Sequence, residues 1–320
     1  MSVADFFASS RVLIVAGKGG VGKTTVGATL GVAATRAGCE VLLIELEGHS
    51  NLAAPFGLSQ LAYSTTVLED VSGCGTLRAR QITPDEALAD YLETSGLRAI
   101  TDRMTRTGAV DVVATTAPGI RDLVTLGKIR QLEQAKEADL IIVDAPAAGH
   151  AVTFLQAASG LAKVTPSGPV RHQADLVLDL LGDADRCQVL LVTLPEEAPV
   201  GEVVETAYSL EDRVGVKLGP IVVNSCWTPV EGLEAALAGI EADTGQKARY
   251  ADDGVRCQLE QAGRYRLGRI EEQRSEIARL QAELPLATVE LPFLFTTTID
   301  RGHLDVLADA LTDQLGGGRP

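Results

Sequence analysis

The sequence predicts an α/β fold, a doubly wound and mostly parallel sheet with helical insertions. Short apolar runs alternate with longer stretches of helical periodicity, which is the order of β-α-β units. Hydrophobic residues make up 46% of the 320 residues and aromatic residues only 4%, a balance that favours buried parallel strands wrapped by helices. We find no internal repeat and no linker-like change in composition, so we predict one domain over residues 1–320, with helical insertions at about 84–137 and 150–182.

The individual elements follow from local signals. Residues 11–16 are apolar and stopped by glycine, as in a buried strand, and residues 23–37 have helical spacing that ends at Gly38. The apolar run at 40–46 completes a first β-α-β unit. Further strands are predicted at 76–82, 139–143, 186–194, 215–224 and 286–291, and further helices at 199–213, 231–240, 247–283 (one long surface helix or a helical hairpin) and 303–315.

Charge and composition argue against several classes of partner. Lys and Arg total 28 and Asp and Glu total 43, so the net charge is −15, and such a surface repels nucleic acid and anionic membranes. No apolar stretch has the roughly 18 residues that a membrane span needs. The first ten residues lack signal-peptide features, and the five cysteines form no CxxC pair. We expect a cytoplasmic protein that neither binds nucleic acid nor inserts into a membrane.

A glycine-rich segment carries the clearest functional signal. Residues 17–24 read GKGGVGKT and match G-x-x-x-x-G-K-[ST] between a predicted strand and a predicted helix. Glycines let backbone amides approach phosphate oxygens, and the helix that follows presents free N–H groups. We predict ATP and Mg²⁺ as cofactors, with Lys23 on the β- and γ-phosphates and Thr24 on the metal. The predicted loop contacts are Gly17, Gly19, Gly20, Val21, Gly22, Lys23, Thr24 and Thr25.

A second lysine extends this motif to GKGGVGKTT. That form resembles the deviant Walker A motif of the group that contains ParA, MinD, the nitrogenase iron protein and ArsA. In this group the extra lysine reaches the partner's nucleotide across a dimer interface. The resemblance implies that Lys18 is catalytic and that the chain pairs with itself or with a paralogue. A cation supplied in trans adds positive charge where negative charge develops during phosphoryl transfer.

Residues 47–57, EGHSNLAAPFG, resemble the switch I segment of the ArsA family, which includes arsenite-pump ATPases and the tail-anchored-protein targeting ATPase. The resemblance puts Glu47 at the family's catalytic Asp, which orients the attacking water, and makes Asn51 a nucleotide contact. The extra methylene of Glu moves the carboxylate on a scale that affects catalysis. Glu47 is therefore either catalytic or a capping or Mg²⁺-water carboxylate, and both interpretations stay open.

Three later segments also resemble this family. Residues 144–150, DAPAAGH, are similar to switch II, which implies that Asp144 holds Mg²⁺ through water and that Gly149 turns its amide toward the γ-phosphate. Asn224 lies in a segment similar to one whose asparagine reads adenine, and Pro292 in one that packs against the base. The resemblance extends from about residue 11 to residue 315.

The predicted function is Mg²⁺-dependent ATP hydrolysis by a dimeric ArsA-like ATPase whose nucleotide state gates a client or partner surface. The alternative is an ATP-binding interaction module with little hydrolysis, paired with an active relative. The chain has two methionines and no clustered thiols, so neither a transmembrane-segment client nor arsenite is predicted. The client and any membrane partner stay unknown.

Overall fold

The computed structural model describes residues 2–46, 51–71, 73–94, 119–242 and 253–316. Nine strands lie in these ranges: β1 (Val12–Gly17), β2 (Val41–Leu46), β3 (Thr66–Asp70), β4 (Thr76–Ile82), β5 (Leu140–Ala147), β6 (Cys187–Thr193), β7 (Lys217–Leu218), β8 (Ile221–Cys226) and β9 (Thr288–Pro292). They form one sheet in the order β3-β4-β2-β5-β1-β6-β8-β9, with β7 beside β6. Among the described strands, β3 and β4 pair antiparallel and the other pairings are parallel, so the predicted fold class is confirmed.

Helices cover both faces of the sheet. In chain order they are α1 (Val3–Ala8), α2 (Lys23–Arg36), α3 (Pro84–Thr94), α4 (Ile120–Gln134), α5 (Ala148–Val164), α6 (Pro169–Leu181), α7 (Glu197–Arg213), α8 (Leu233–Ala242), α9 (Asp253–Glu283) and α10 (Arg301–Gly316). None of the helices in the described ranges combines the length and apolarity that crossing a bilayer requires.

Alternating strand residues build two separate cores. Ile14 of β1 packs with residues of α4 to α7 on one face, whereas Leu13 packs with residues of α2 and α10 on the other. Every residue of β1, β2 and β6 is buried, as expected for central parallel strands that are covered on both sides. The centre of the sheet is therefore the most enclosed part of the described fold.

Several element predictions need correction. The single strand predicted at 215–224 is two strands, because Pro220 interrupts the segment and cannot donate to a ladder. The strand predicted to end at residue 143 continues to Ala147. The sequence reading missed β3, a polar edge strand paired antiparallel to β4, and also α1, which opens with a capping box at Ser2. Residues 95–118, part of the first predicted insertion, lie outside the described residues, and the single-domain boundary stays a prediction.

The sheet brings the candidate site residues to one edge. The carboxyl ends of β1, β5, β8 and β9 lie together because these strands are parallel and close in the sheet order. Val15 of β1 pairs with Asp144 of β5, and Gly17 pairs with Val192 of β6. The segment that leaves β1 therefore passes directly over the ends of its two neighbouring strands.

Candidate active site

The loop between β1 and α2 has a backbone shape that requires glycine. Gly20 and Gly22 have φ of 87° and 90°, in the left-handed region that side chains with a Cβ avoid. A Cβ on Gly22 would lie 2.3 Å from Asn224 Nδ2, and a Cβ on Gly17 would lie 2.3 Å from the Val192 carbonyl oxygen. The motif glycines thus permit both the turn and its close approach to β6 and β8.

The first turn of α2 completes a cradle for an anion. Its N-cap is Gly22, which has no side chain to cap the helix, and Val26 N donates to the Gly22 carbonyl oxygen at 2.9 Å. The N–H groups before Val26, including those of Thr24 and Thr25, are the free donors of a helix N-terminus. Together with the positive end of the helix dipole, they suit phosphate oxygens.

Lys23 is held within this loop. Its Nζ donates to the Lys18 carbonyl oxygen at 3.0 Å. Burial lowers the pKa of Lys23, and the nearby Asp144 carboxylate acts in the opposite direction. A partly desolvated ammonium interacts more strongly with an anion than one in bulk water. The predicted phosphate lysine therefore has both the position and the environment for that role.

Thr24 and Asp144 meet across 120 residues of sequence. The Thr24 hydroxyl donates to Asp144 Oδ2 at 2.6 Å, and Asp144 is only 3% exposed. Magnesium prefers hard oxygen ligands and often keeps several waters. A hydroxyl and a carboxylate at the mouth of a phosphate loop fit that donor set, so these two residues would hold Mg²⁺ directly or through water.

Lys18 is arranged differently from Lys23. Its side chain is exposed and forms an ion pair with Glu202 of α7 in the same chain. The two lysines of the motif thus occupy distinct environments, one turned into the loop and one on the surface above it.

The predicted switch residues are placed unevenly. Gly149 lies exposed in the first turn of α5, and switch II approaches the loop, since a Cβ on Gly19 would lie 4.0 Å from the Ala147 Cβ. Asn51 is exposed at the point where the described chain resumes after residue 46. Glu47, with residues 48–50, lies outside the described residues.

The two predicted base contacts lie at the ends of β8 and β9. Asn224 is almost fully buried, and its Nδ2 donates to the Val21 carbonyl oxygen at 2.9 Å. This contact ties the asparagine to the phosphate loop and leaves its carbonyl oxygen as an acceptor. Pro292 is paired with Cys226 in the neighbouring strand. Both residues therefore lie on the same edge as the loop.

Two carboxylates of this region were missed by the sequence reading. Glu45 is 5% exposed and accepts from Leu52 N at 2.8 Å, next to Asp144 in the strand register. A charge within an otherwise apolar strand is a signal that could have identified it. Glu202, the partner of Lys18, is 184 residues away in sequence, and no local pattern distinguishes it.

Comparison with known proteins gives consistent matches. A family model described as anion-transporting ATPase matches residues 10–166. "ATPase BagA" of Mycobacterium tuberculosis is 31% identical over 95% of this chain and 93% of its own length. A "putative arsenical pump-driving ATPase" of Halobacterium salinarum is 27% identical over 67% of this chain and 35% of its own length. "ATPase get3" of Schizosaccharomyces pombe is 29% identical over 46% of this chain and 43% of its own length. With its phosphate loop at the carboxyl edge of a parallel sheet, the chain belongs to the anion-transporting ATPase family, the ArsA family.

Proposed function

We propose that the protein hydrolyses ATP with Mg²⁺ as a dimer, and that its nucleotide state gates a surface for a client or partner. The observation that carries the proposal is the convergence of Lys23, Thr24 and Asp144 on one glycine loop. These are an ammonium, a hydroxyl and a buried carboxylate, the groups that phosphoryl transfer from a magnesium nucleotide needs.

Each group has a separate task in this proposal. The N–H donors of the loop and of the first turn of α2 fix the phosphates, and Lys23 neutralises charge on the β- and γ-phosphates. Thr24 and Asp144 would hold Mg²⁺, which supplies further charge neutralisation when bound. Glu47 is proposed to orient the attacking water, as the resemblance of its segment to switch I implies.

We further propose that Lys18 acts on the nucleotide of the partner subunit. Its ion pair with Glu202 joins two exposed side chains, and such pairs contribute only about 0–1 kcal/mol. A triphosphate carries several negative charges in a less hydrated site, so it competes well for the same ammonium. The contact with Glu202 is therefore a resting arrangement that a second subunit can displace.

We propose that the nucleotide state is transmitted to the client or partner surface through switch II. Gly149 lies in the first turn of α5, and α5 packs against α4, α6 and α7. A γ-phosphate that draws the Gly149 amide inward would shift the start of α5 and with it the packed helices. We place the client or partner surface on the helices of the two insertions.

A mixing experiment tests the in-trans lysine. Lys18→Ala and Asp144→Asn are each expected to be inactive as pure proteins. In a mixed dimer, the intact site of the Lys18→Ala subunit receives Lys18 from its partner. Equal mixing should restore about a quarter of the wild-type rate, because half of the dimers are mixed and each has one competent site.

The possible results separate the interpretations. Lys217→Ala, which removes an exposed lysine from β7, is the control and should keep the wild-type rate. A mixture that stays inactive would contradict the in-trans role of Lys18. A wild-type rate no higher than that of Lys23→Ala, together with retained ATP binding, would favour the alternative of a nucleotide-binding interaction module.

A further inference from the structure

Four aromatic side chains form a cluster beyond the ends of β8 and β9, here called the aromatic patch. Trp227 is its centre, with ring centroids 6.0 Å from Tyr265, 5.8 Å from Phe293 and 5.6 Å from Phe295. Phe293 and Phe295 are themselves 4.8 Å apart and nearly perpendicular. The patch gathers the single tryptophan and two of the six phenylalanines of the chain. In a protein so poor in aromatics, this concentration requires an explanation.

The patch is exposed although it is well ordered by its own contacts. Phe295 is 69% exposed, Tyr265 63% and Phe293 36%. Arg266 of α9 lies over both Trp227 and Phe295, at 5.4 and 5.3 Å from the ring centroids, and donates to the Thr228 carbonyl at 2.7 Å. Edge-to-face and cation–π contacts of this kind fix the rings before any partner arrives. Preordered Trp, Tyr and Arg are the residues that dominate binding energy at protein interfaces.

The apolar surface continues along α9. Leu259 and Val255, which are 65% and 47% exposed, precede Arg266 by seven and eleven residues and so share its face of the helix. Further along the helix, Ile277 follows Arg266 by eleven residues and lies on the same face, where it is buried. This face of α9 is therefore covered toward the end of the helix and exposed near its start. The patch and the strip together form an apolar surface near the start of α9 that the described part of the chain leaves largely exposed.

The position of the patch fits a second copy of this chain as its partner. It lies on the edge of the sheet that carries the phosphate loop, since β8 and β9 are the second and third strands from β1. Strands are about 4.8 Å apart, so this offset is roughly 10–15 Å. An interface of about 800 Å² per partner has a radius near ~16 Å. An interface centred on Lys18 therefore reaches the patch.

We propose that the aromatic patch is the apolar anchor of the nucleotide-bound dimer and that its occupant is a second copy of this chain. This inference rests on the proposed dimeric function. Two copies with a charge of −15 each repel one another, so association needs an uncharged contact. Four rings of about 150–250 Å² each, roughly half exposed, present about 300–500 Å², a large share of what a stable interface buries on each side.

The test measures dimer formation in the presence of Mg²⁺ and a non-hydrolysable ATP analogue by analytical ultracentrifugation. Phe295→Ser is expected to weaken the dimer about 30-fold, the effect typical of a lost interface anchor. Tyr265→Ser, on a different segment, should act in the same direction. Because both side chains are mostly exposed, neither change should disturb folding, and analogue binding by the monomer should match wild type. Val67→Ser is the matched control, because Val67 is 59% exposed and lies on the far edge strand β3. This change should alter the dimer dissociation constant less than ~2-fold.

The outcomes distinguish this inference from the function on which it rests. If wild type dimerises with the analogue and both patch variants dimerise equally well, the patch inference is wrong and the dimeric ATPase stands. If wild type stays monomeric at every concentration tested, the dimeric proposal fails and the patch inference fails with it. If the variants lose affinity for the analogue rather than for each other, the patch serves the nucleotide base and the inference is overturned.

Discussion

The centre of the sheet and its β8–β9 edge carry two different kinds of surface. Around β1, β5 and β6 the backbone is buried and polar groups converge, with Thr24 on Asp144 and Lys23 on the loop carbonyl. At the β8–β9 edge, rings and one guanidinium stand exposed beyond the strand ends. The buried, rigid centre suits a bound charged group, because a low dielectric strengthens its electrostatic interactions. The exposed apolar area at the β8–β9 edge suits association with a partner.

The largest effect is expected when the positive charge at the centre of the sheet is removed. Lys23→Ala should lower the steady-state rate of ATP hydrolysis by about 100- to 1000-fold, because in the proposed function the half-buried ammonium is a preorganised partner of the transferred phosphoryl group. The same change should weaken nucleotide binding in a fluorescence titration. Lys217→Ala is the control. Retention of more than a tenth of the activity would mean that the centre of the sheet is not the reacting site.

A pair of glycine substitutions tests how tightly the loop is built against its surroundings. Gly20→Ala meets no atom within 4 Å and should destabilise only through its positive φ, by about 1–2 kcal/mol. Gly22→Ala has a similar φ but would also bring a Cβ to 2.3 Å from Asn224 Nδ2. We expect it to cost about 3 kcal/mol or more in urea unfolding.

A double-mutant cycle shows whether the additional destabilisation by Gly22→Ala, relative to Gly20→Ala, comes from the contact with Asn224. Adding Asn224→Ala to Gly22→Ala should recover about 1 kcal/mol, because the overlapping amide is removed. The same addition to Gly20→Ala should recover nothing. Equal losses for the two glycine substitutions would contradict the close packing of the loop against β8.

Two buried cysteines allow the opening of the structure to be compared between the centre of the sheet and its β8–β9 edge. Burial raises the pKa of Cys187 in β6 and of Cys226 in β8 from 9.0 to about 12. Below pH 9.0 each thiol is neutral in both folded and unfolded chains, and the preference for the folded chain is lost as the pH rises from 9.0 toward 12. At pH 8 the folded thiolate fraction is about 10⁻⁴, so labelling is slow and reports opening of the structure.

We expect iodoacetamide to label Cys226 at least about 10-fold faster than Cys187. Cys226 ends β8, whose neighbour β9 is the edge strand and can open locally, whereas β6 lies further inside the sheet and requires global unfolding. Mass spectrometry of peptides after timed labelling measures both rates, and the exposed Cys74 and Cys257 serve as fast references. Equal rates for the two buried thiols would show that edge and centre open as one unit.

Strand and helix identities at the centre of the sheet could be read from the chain because their signals are local. Apolar runs, stopping glycines and the spacing of the phosphate loop are properties of neighbouring residues, and β1, α2 and β2 follow them closely. Elements toward the edges of the sheet were harder to predict from the sequence. The polar strand β3 exists through its pairing with β4, and Pro220 divides a segment whose composition reads as one strand.

The order of residues by itself determined the fold class, the phosphate loop and the chemical types gathered there, because period, glycine placement and motif spacing act over a few residues. Only the tertiary structure decided which distant groups meet. Lys18 pairs with Glu202, and Trp227 packs against rings from two other segments. Such contacts depend on strand order and helix orientation, which arise from burial across the whole chain and leave no mark in any short stretch of sequence.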